Sequence, residues 1–245
     1  MNIDTSCYSE LVSESHQIKE KQIMSIKENL NNIKSTLPEH VTLVAVSKTK
    51  PVSDLMEAYN AGQRIFGENK IQEMAEKYEA MPKDIEWHMI GHVQRNKVKY
   101  MASFVSLIHG VDNFKLLKEI NKQAQKHDRI IDCLLQIKIA EEDSKFGMSK
   151  HDASEIMQSK NVSELKYIRI TGVMGMATFT NDQNKIKEEF NLLKSTSDDL
   201  KSLNTDNCKL QTISMGMSGD YQLAIACGST MIRVGSSIFG ARNYD

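Results

Sequence analysis

The sequence predicts an α/β fold: a single eight-fold β/α barrel of the TIM type, with one extra helix at its N-terminus. Three observations lead there. Short apolar, β-branched runs alternate with helical segments eight times along the chain, which argues for parallel strands joined by helical crossovers. Eight is also the number of strands that closes a barrel, and 245 residues is close to the roughly 250 that such a barrel needs. No shift in composition marks a second domain, so residues 1–245 form one domain, with the barrel over about 41–240. An open, doubly wound sheet is the alternative reading of the same alternation.

The extra helix is predicted over about 8–37. Ile23, Ile26, Leu30, Ile33 and Leu37 recur at helical spacing, charged residues surround them, and Pro38 ends the segment. Residues 41–47 then form an apolar, β-branched run typical of a strand buried on both faces. A helix follows over 53–61, closed by Gly62, then a short strand over 64–66 and a helix over 69–80. The third strand is predicted over 85–90 with a helix over 94–101, and the fourth over 104–108 with a helix over 113–126. The fifth strand spans 130–139 and its helix 150–158; the sixth spans 168–174 and its helix 183–203. The last units are a strand over 210–214, a helix over 221–226, and an eighth strand over 231–234.

Composition narrows the function. A net charge of −1, no basic patch and only 6% aromatic residues disfavour a nucleic-acid partner. No basic leader precedes an apolar run and no apolar stretch approaches a membrane span, so a cytoplasmic protein without membrane contact is expected. Cys7, Cys133, Cys208 and Cys227 fit neither a zinc site nor a disulfide framework and are read as reduced thiols. His88 and His92 lack an acidic partner at ligand spacing, so no metal is expected.

Barrels carry their chemistry at the C-terminal ends of their strands. The first strand ends in Ser47-Lys48-Thr49-Lys50-Pro51. Lys48 and Lys50 are two apart and share a face in extended chain. A neighbouring cation and partial burial both lower an ammonium pKa, and a neutral amine can form a Schiff base with a carbonyl. The plainer reading is two lysines in solvent at a strand end. The last two strands lead into Ser214-Met-Gly-Met-Ser218 and Arg233-Val-Gly-Ser-Ser237. Gly216 and Gly235 permit close backbone approach, and Ser214, Ser236 and Ser237 offer hydroxyls, on the two loops where barrels recurrently hold phosphate. Ordinary turn chemistry would also account for them. Arg233 could meet a phosphate or a ring nitrogen, and Asn69 could donate to a ligand or cap the next helix. A Schiff-base lysine facing a phosphate cup describes a ligand with an aldehyde at one end and a phosphate at the other, which fits pyridoxal 5′-phosphate (PLP).

The runs Ala45-Val-Ser-Lys-Thr-Lys-Pro51, Phe66-Gly-Glu-Asn69, Trp87-His-Met-Ile-Gly91 with Gln94-Arg-Asn-Lys97, Ser214-Met-Gly-Met-Ser218, and Gly228-Ser-Thr-Met-Ile-Arg-Val-Gly235 with Ile238-Phe-Gly-Ala-Arg242 carry a resemblance. Together they resemble the pyridoxal phosphate homeostasis protein family, collinearly from about Val41 to Tyr244. The resemblance implies a barrel like the N-terminal domain of alanine racemase. It implies that Lys48 carries PLP as an imine, with Lys50 as a second lysine beside it. Ser214 with Met215, Gly235 and Ser236 match the phosphate loops, Asn69 joins the cofactor-binding set, and Arg233 matches the arginine facing the pyridine nitrogen. An arginine there does not favour ring protonation, so the ring is a poor electron sink.

The implied role is to bind, buffer and deliver PLP to apo-enzymes, with effects on amino-acid and keto-acid balance and no assigned catalytic residue. A monomer is expected. The chain ends at Asp245, soon after the eighth strand, so the all-β domain that completes a racemase is expected to be absent. Phe239 stands where the racemase-like pattern has tyrosine, Ser236-Ser237 where threonine is common, and His92-Val93 where many relatives differ. One alternative is a PLP-dependent racemase or related enzyme. Another is a barrel that binds a phosphorylated metabolite through lysine without PLP.

Overall fold

The structure is a computed structural model that describes residues 24–140, 146–203 and 208–241. Eight parallel strands close into a barrel in chain order. They are β1 (Thr42–Val46), β2 (Ile65–Glu68), β3 (Glu86–Met89), β4 (Val105–Val111), β5 (Ile131–Gln136), β6 (Ile168–Met174), β7 (Cys208–Ser214) and β8 (Met231–Val234). Closure rests on β1 pairing with β8, with Val44 opposite Arg233, which rules out the open sheet.

The helices are α1 (Ile26–Thr36), α2 (Val52–Asn60), α3 (Ile71–Ala80), α4 (Phe114–Lys126), α5 (Lys150–Gln158), α6 (Lys160–Ser163), α7 (Gln183–Lys201), α8 (Tyr221–Ala226) and α9 (Ser236–Phe239). The short α6 and α9 were not anticipated from the sequence. Arg95–Tyr100 is a 3₁₀ helix where an α-helix is predicted over 94–101. Within it only Val98 is buried, so no apolar stripe binds a longer helix to the barrel.

The N-terminal helix also departs from expectation. It starts at Ile26, not near residue 8, because Ser25 and Glu28 form a capping box. Ser25 Oγ accepts from the Glu28 N–H, and the Glu28 carboxylate accepts from the Ser25 N–H at 2.8 Å. Ser25 itself is extended, which breaks the predicted 8–37 helix there; residues 1–23 lie outside the described residues. The helix buries Leu30 and Ile33. It is tied to its own barrel: Asn29 Nδ2 donates to Ile238 O at 3.1 Å, and Lys27 N to Glu57 Oε1 at 3.1 Å.

The apolar core has two parts. A large shell lies between strands and helices, with Phe66, Trp87, Leu116, Ile120 and Phe190 among its buried members. A small cluster, Val44, Leu107, Leu134, Met174 and Met231, fills the barrel interior. The interior is shared with buried polar side chains from several strands: His88, His109, Gln136, Ser214 and Arg233. These polar groups place the barrel's chemistry.

Candidate functional site

A cavity of about 580 Å³ opens at the C-terminal ends of the strands. Val46, Lys48 and Lys50 line one side, while Val44 sits deeper in the interior cluster. Strand β1 ends at Val46, and Lys50 N donates to Ser47 O at 3.1 Å across a turn with Thr49 left-handed, so a turn, and not the extended chain that the sequence suggests, brings both lysines to the cavity.

The turn that carries Lys48 is held on both sides. Ser47 N donates to Gly67 O at 3.0 Å, and Ser47 Oγ to Glu68 Oε1 at 2.6 Å. Thr49 lies in the left-handed region with φ of 64°, and its N–H donates to Glu73 Oε1 at 2.6 Å. Beneath the turn, buried Lys77 donates to Ser47 O (2.8 Å), Glu68 Oε1 (2.8 Å) and Glu73 Oε1 (2.7 Å). Burial pushes the Glu68 carboxyl up, and Lys77 and Ser47 pull it back. Lys50 has a different setting: its Nζ donates to Phe239 O at 2.8 Å and Ala241 O at 2.9 Å, clamping the end of α9.

Asn69 lines the cavity, and its Oδ1 is buried without a partner among the described residues. It does not cap α3; Lys70 holds that position and makes no side-chain cap bond. Across the cavity stand Ser218, Gly219, Gly235 and Ser236. Ser218 Oγ accepts from Gly235 N at 3.2 Å and Ser237 N at 3.5 Å, joining the loops after β7 and β8. Gly216 turns under α8 with φ of 95°, and a Cβ there would lie 2.6 Å from Ala224 Cβ. Ser214 and Met215 are fully buried and do not line the cavity.

Arg233 forms part of the cavity wall yet is only 4% exposed. Its Nη1 donates to Ser214 Oγ at 2.6 Å and its Nη2 to Gly175 O at 3.1 Å. Burial lowers its pKa to about 10, with Asp220 acting the other way, so it stays a cation at neutral pH. Ser214 Oγ meets His109 Nδ1 at 3.1 Å, and His109 Nε2 meets His88 Nδ1 at 3.1 Å. Burial drives the His88 pKa down to about 3. Burial also drives His109 well down, aided by His88 and Arg233. Both rings are neutral, and the guanidinium can only donate. The contacts from Arg233 continue through Ser214 and His109 to His88, with the direction of the last two set by the imidazole tautomers. This polar chain runs from the cavity to the opposite barrel end, where His88 lies with the strand starts Thr42, Glu86 and Met231.

Phe146, Phe179 and Met217 form an exposed apolar rim, and Phe179 is 96% exposed. His92 stacks on Phe146, with ring centroids 4.2 Å apart, and its Nδ1 lies 3.4 Å from Asp112. Among the described residues no cluster of His, Cys, Asp and Glu could hold a metal ion, and no helix is long and apolar enough to cross a membrane.

Sequence reading overlooked Lys77, His109, Ser218 and Gly219. Lys77 left a signal: it occupies the face of α3 that Ile71 and Met74 bury, where lysine is out of place. His109 left less, because β4 runs to Val111, past the predicted end at residue 108.

The profile of the alanine racemase N-terminal domain matches residues 22–243. A pyridoxal phosphate homeostasis protein from Pasteurella multocida is 37% identical over 234 residues, covering 90% of this chain and 99% of the relative. One from Schizosaccharomyces pombe is 41% identical over 206 residues, covering 83% and 85%. Among solved structures, PipY of Synechococcus elongatus with PLP bound has a TM-score of 0.80 at 33% identity, covering 88% of this chain and 100% of that one. Alanine racemase of Clostridium difficile, at 17% identity and a TM-score of 0.73, shares the fold over 90% of this chain and 61% of its own. With the profile matching residues 22–243 of the chain, and with relatives of this identity and coverage, the chain belongs to the alanine racemase N-terminal domain family, among the pyridoxal phosphate homeostasis proteins.

Proposed function

We propose that the chain holds pyridoxal 5′-phosphate in this cavity through Lys48, and stores and hands on the cofactor without turning over a substrate. The observation that carries this reading is the juxtaposition in one cavity of a lysine on the turn after β1 and a serine–glycine cup on the β7 and β8 loops. The side chains fit the cofactor. Lys48 offers an amine, Ser218 and Ser236 offer hydroxyls, and Asn69 holds a buried oxygen that lacks a partner among the described residues. Bound there, PLP supplies an aldehyde for an amine and a phosphate for hydrogen-bond donors.

Arg233 stays a cation on the cavity wall at neutral pH, and its N–H groups can only donate. Ser214 acts through Arg233 by fixing Nη1, and Met215 supports the loop from below, its N–H donating to Met231 O at 3.1 Å. The relatives named pyridoxal phosphate homeostasis proteins support homeostasis as the role, and PipY, solved with PLP bound, supports the cofactor. We place the protein in the cytoplasm as a monomer that passes PLP to apo-enzymes; the packing of α1 on its own barrel supports the monomer.

The test is spectroscopic. Purified protein mixed with PLP should show the visible absorbance of a lysine-bound cofactor. Borohydride reduction and peptide mapping should find the label on Lys48, and Lys48→Ala should abolish both. A colourless wild-type mixture, or a label that stays elsewhere while Lys48 is unmodified, would overturn the reading.

A further inference from the structure

The Lys48 turn contains a backbone conformation that its own sequence does not favour. Thr49 has φ of 64°, a region costly for any residue with a Cβ and more so for a β-branched one. Such a conformation persists only where its surroundings over-determine it. Here the surroundings are a cluster outside the cavity lining, with Glu68 and Lys77 buried and Glu73 partly exposed. Glu73 Oε1 takes the Thr49 N–H at 2.6 Å and the Lys77 ammonium at 2.7 Å. The same ammonium reaches Ser47 O at 2.8 Å and Glu68 Oε1 at 2.8 Å. The residues immediately before and after Lys48 are therefore tied to one buried cation, directly at Ser47 and through Glu73 at Thr49. Glu68 directly precedes Asn69, so the same cation also anchors the neighbouring cavity residue.

We propose that Lys77, with Glu68 and Glu73, is the positioning apparatus of the cofactor lysine. It holds the left-handed Thr49 turn, and thereby aims Lys48 into the cavity. This rests on the reading that Lys48 takes PLP. The cluster contributes no atom to the cavity and acts only through the backbone on either side of Lys48 and before Asn69. A charged clamp suits the task. One ammonium has three donors, and here they meet a carbonyl and two carboxylates from three separate segments.

The experiment uses the full chain and PLP itself, and reads the rate of borohydride-trapped labelling at Lys48 and the PLP dissociation constant. Wild type labelled at Lys48 comes first; its failure would sink the proposed function and leave the clamp unneeded. Glu73 is partly exposed on α3, so Glu73→Ala should fold, as circular dichroism and a cooperative melt will show. It should weaken PLP binding and slow Lys48 labelling by about ten-fold, the order expected from releasing one left-handed residue. Thr49 is exposed, and glycine adopts its conformation without penalty. Adding Thr49→Gly to Glu73→Ala should therefore bring labelling back to within about three-fold of wild type. A merely structural role for Glu73 would show no such rescue. Lys77→Met should give the larger loss, with label spread to other lysines. Wild-type labelling and affinity in Glu73→Ala, or a loss that Thr49→Gly does not repair, would overturn the proposal.

Discussion

The imidazole of His88 sits inside the barrel against a second imidazole, and its pKa falls to about 3 because burial disfavours the charged ring. An unfolded histidine protonates near the ordinary value of 6.5. The unfolded state is then the better proton acceptor, so the stability contribution is full above about pH 6.5 and is lost as pH falls toward 3. At about pH 5, His88 alone should cost about 2 kcal/mol, and His109 shifts in the same direction. Urea unfolding across this range should show the loss. His88→Asn, which offers a polar atom where Nδ1 stands, should reduce it and leave the part due to His109; equal pH slopes in the two proteins would refute the assignment. These residues mark the limit of sequence reading. Lys48 and Lys50 were legible as lysines at the end of a buried strand, but the turn at Thr49 that brings both to the cavity, in place of continued alternation, was not. The histidine pair was not, since nothing in the sequence spacing says that residues 21 apart meet inside a barrel.

At the scale of elements, the alternation of strands and helices was legible because apolar runs and helical stripes are local patterns. What escaped depended on packing. The Arg95–Tyr100 segment is 3₁₀ because little of it reaches the core, and α1 begins at a capping box inside a longer apolar periodicity. That helix is a working part of the barrel's outer layer. It buries Leu30 fully and lies against α9, whose far end Lys50 clamps. Leu30→Ala should destabilise the protein by about 2–4 kcal/mol through transfer loss and the cavity left behind. Chemical denaturation will measure it, and a change below about 0.5 kcal/mol would show that α1 is dispensable to the barrel.

For the whole molecule, chain order equals strand order around the barrel, so β1 and β8 become neighbours only on closure. Closure assembles the site, since Lys48 follows β1 and Arg233 lies on β8. Eight strands could be counted in the sequence, and the family motifs pointed to Lys48 and Arg233, which line the cavity, and to Ser214 and Met215, which do not. The cup could not be drawn, because Ser218 joins the two loops only in three dimensions. A ligand held only by the closed barrel must stabilise it. PLP at about one hundred times its dissociation constant should raise unfolding free energy by about 2.7 kcal/mol, read as a rise in melting temperature. No rise at that concentration would mean that the unfolded chain binds PLP equally well. The setting of Arg233 sharpens the point. Its guanidinium is buried against a serine hydroxyl and a backbone carbonyl, both neutral, so the cavity wall carries a cation whose hydrogen-bond partners bring no counter-charge. An arriving phosphate brings negative charge to that wall, and a pyridine nitrogen brings a lone pair. On the proposed function, PLP would add negative charge to a wall that holds both Arg233 and Asp220, and the melting temperature would then gauge how much free cofactor surrounds the protein.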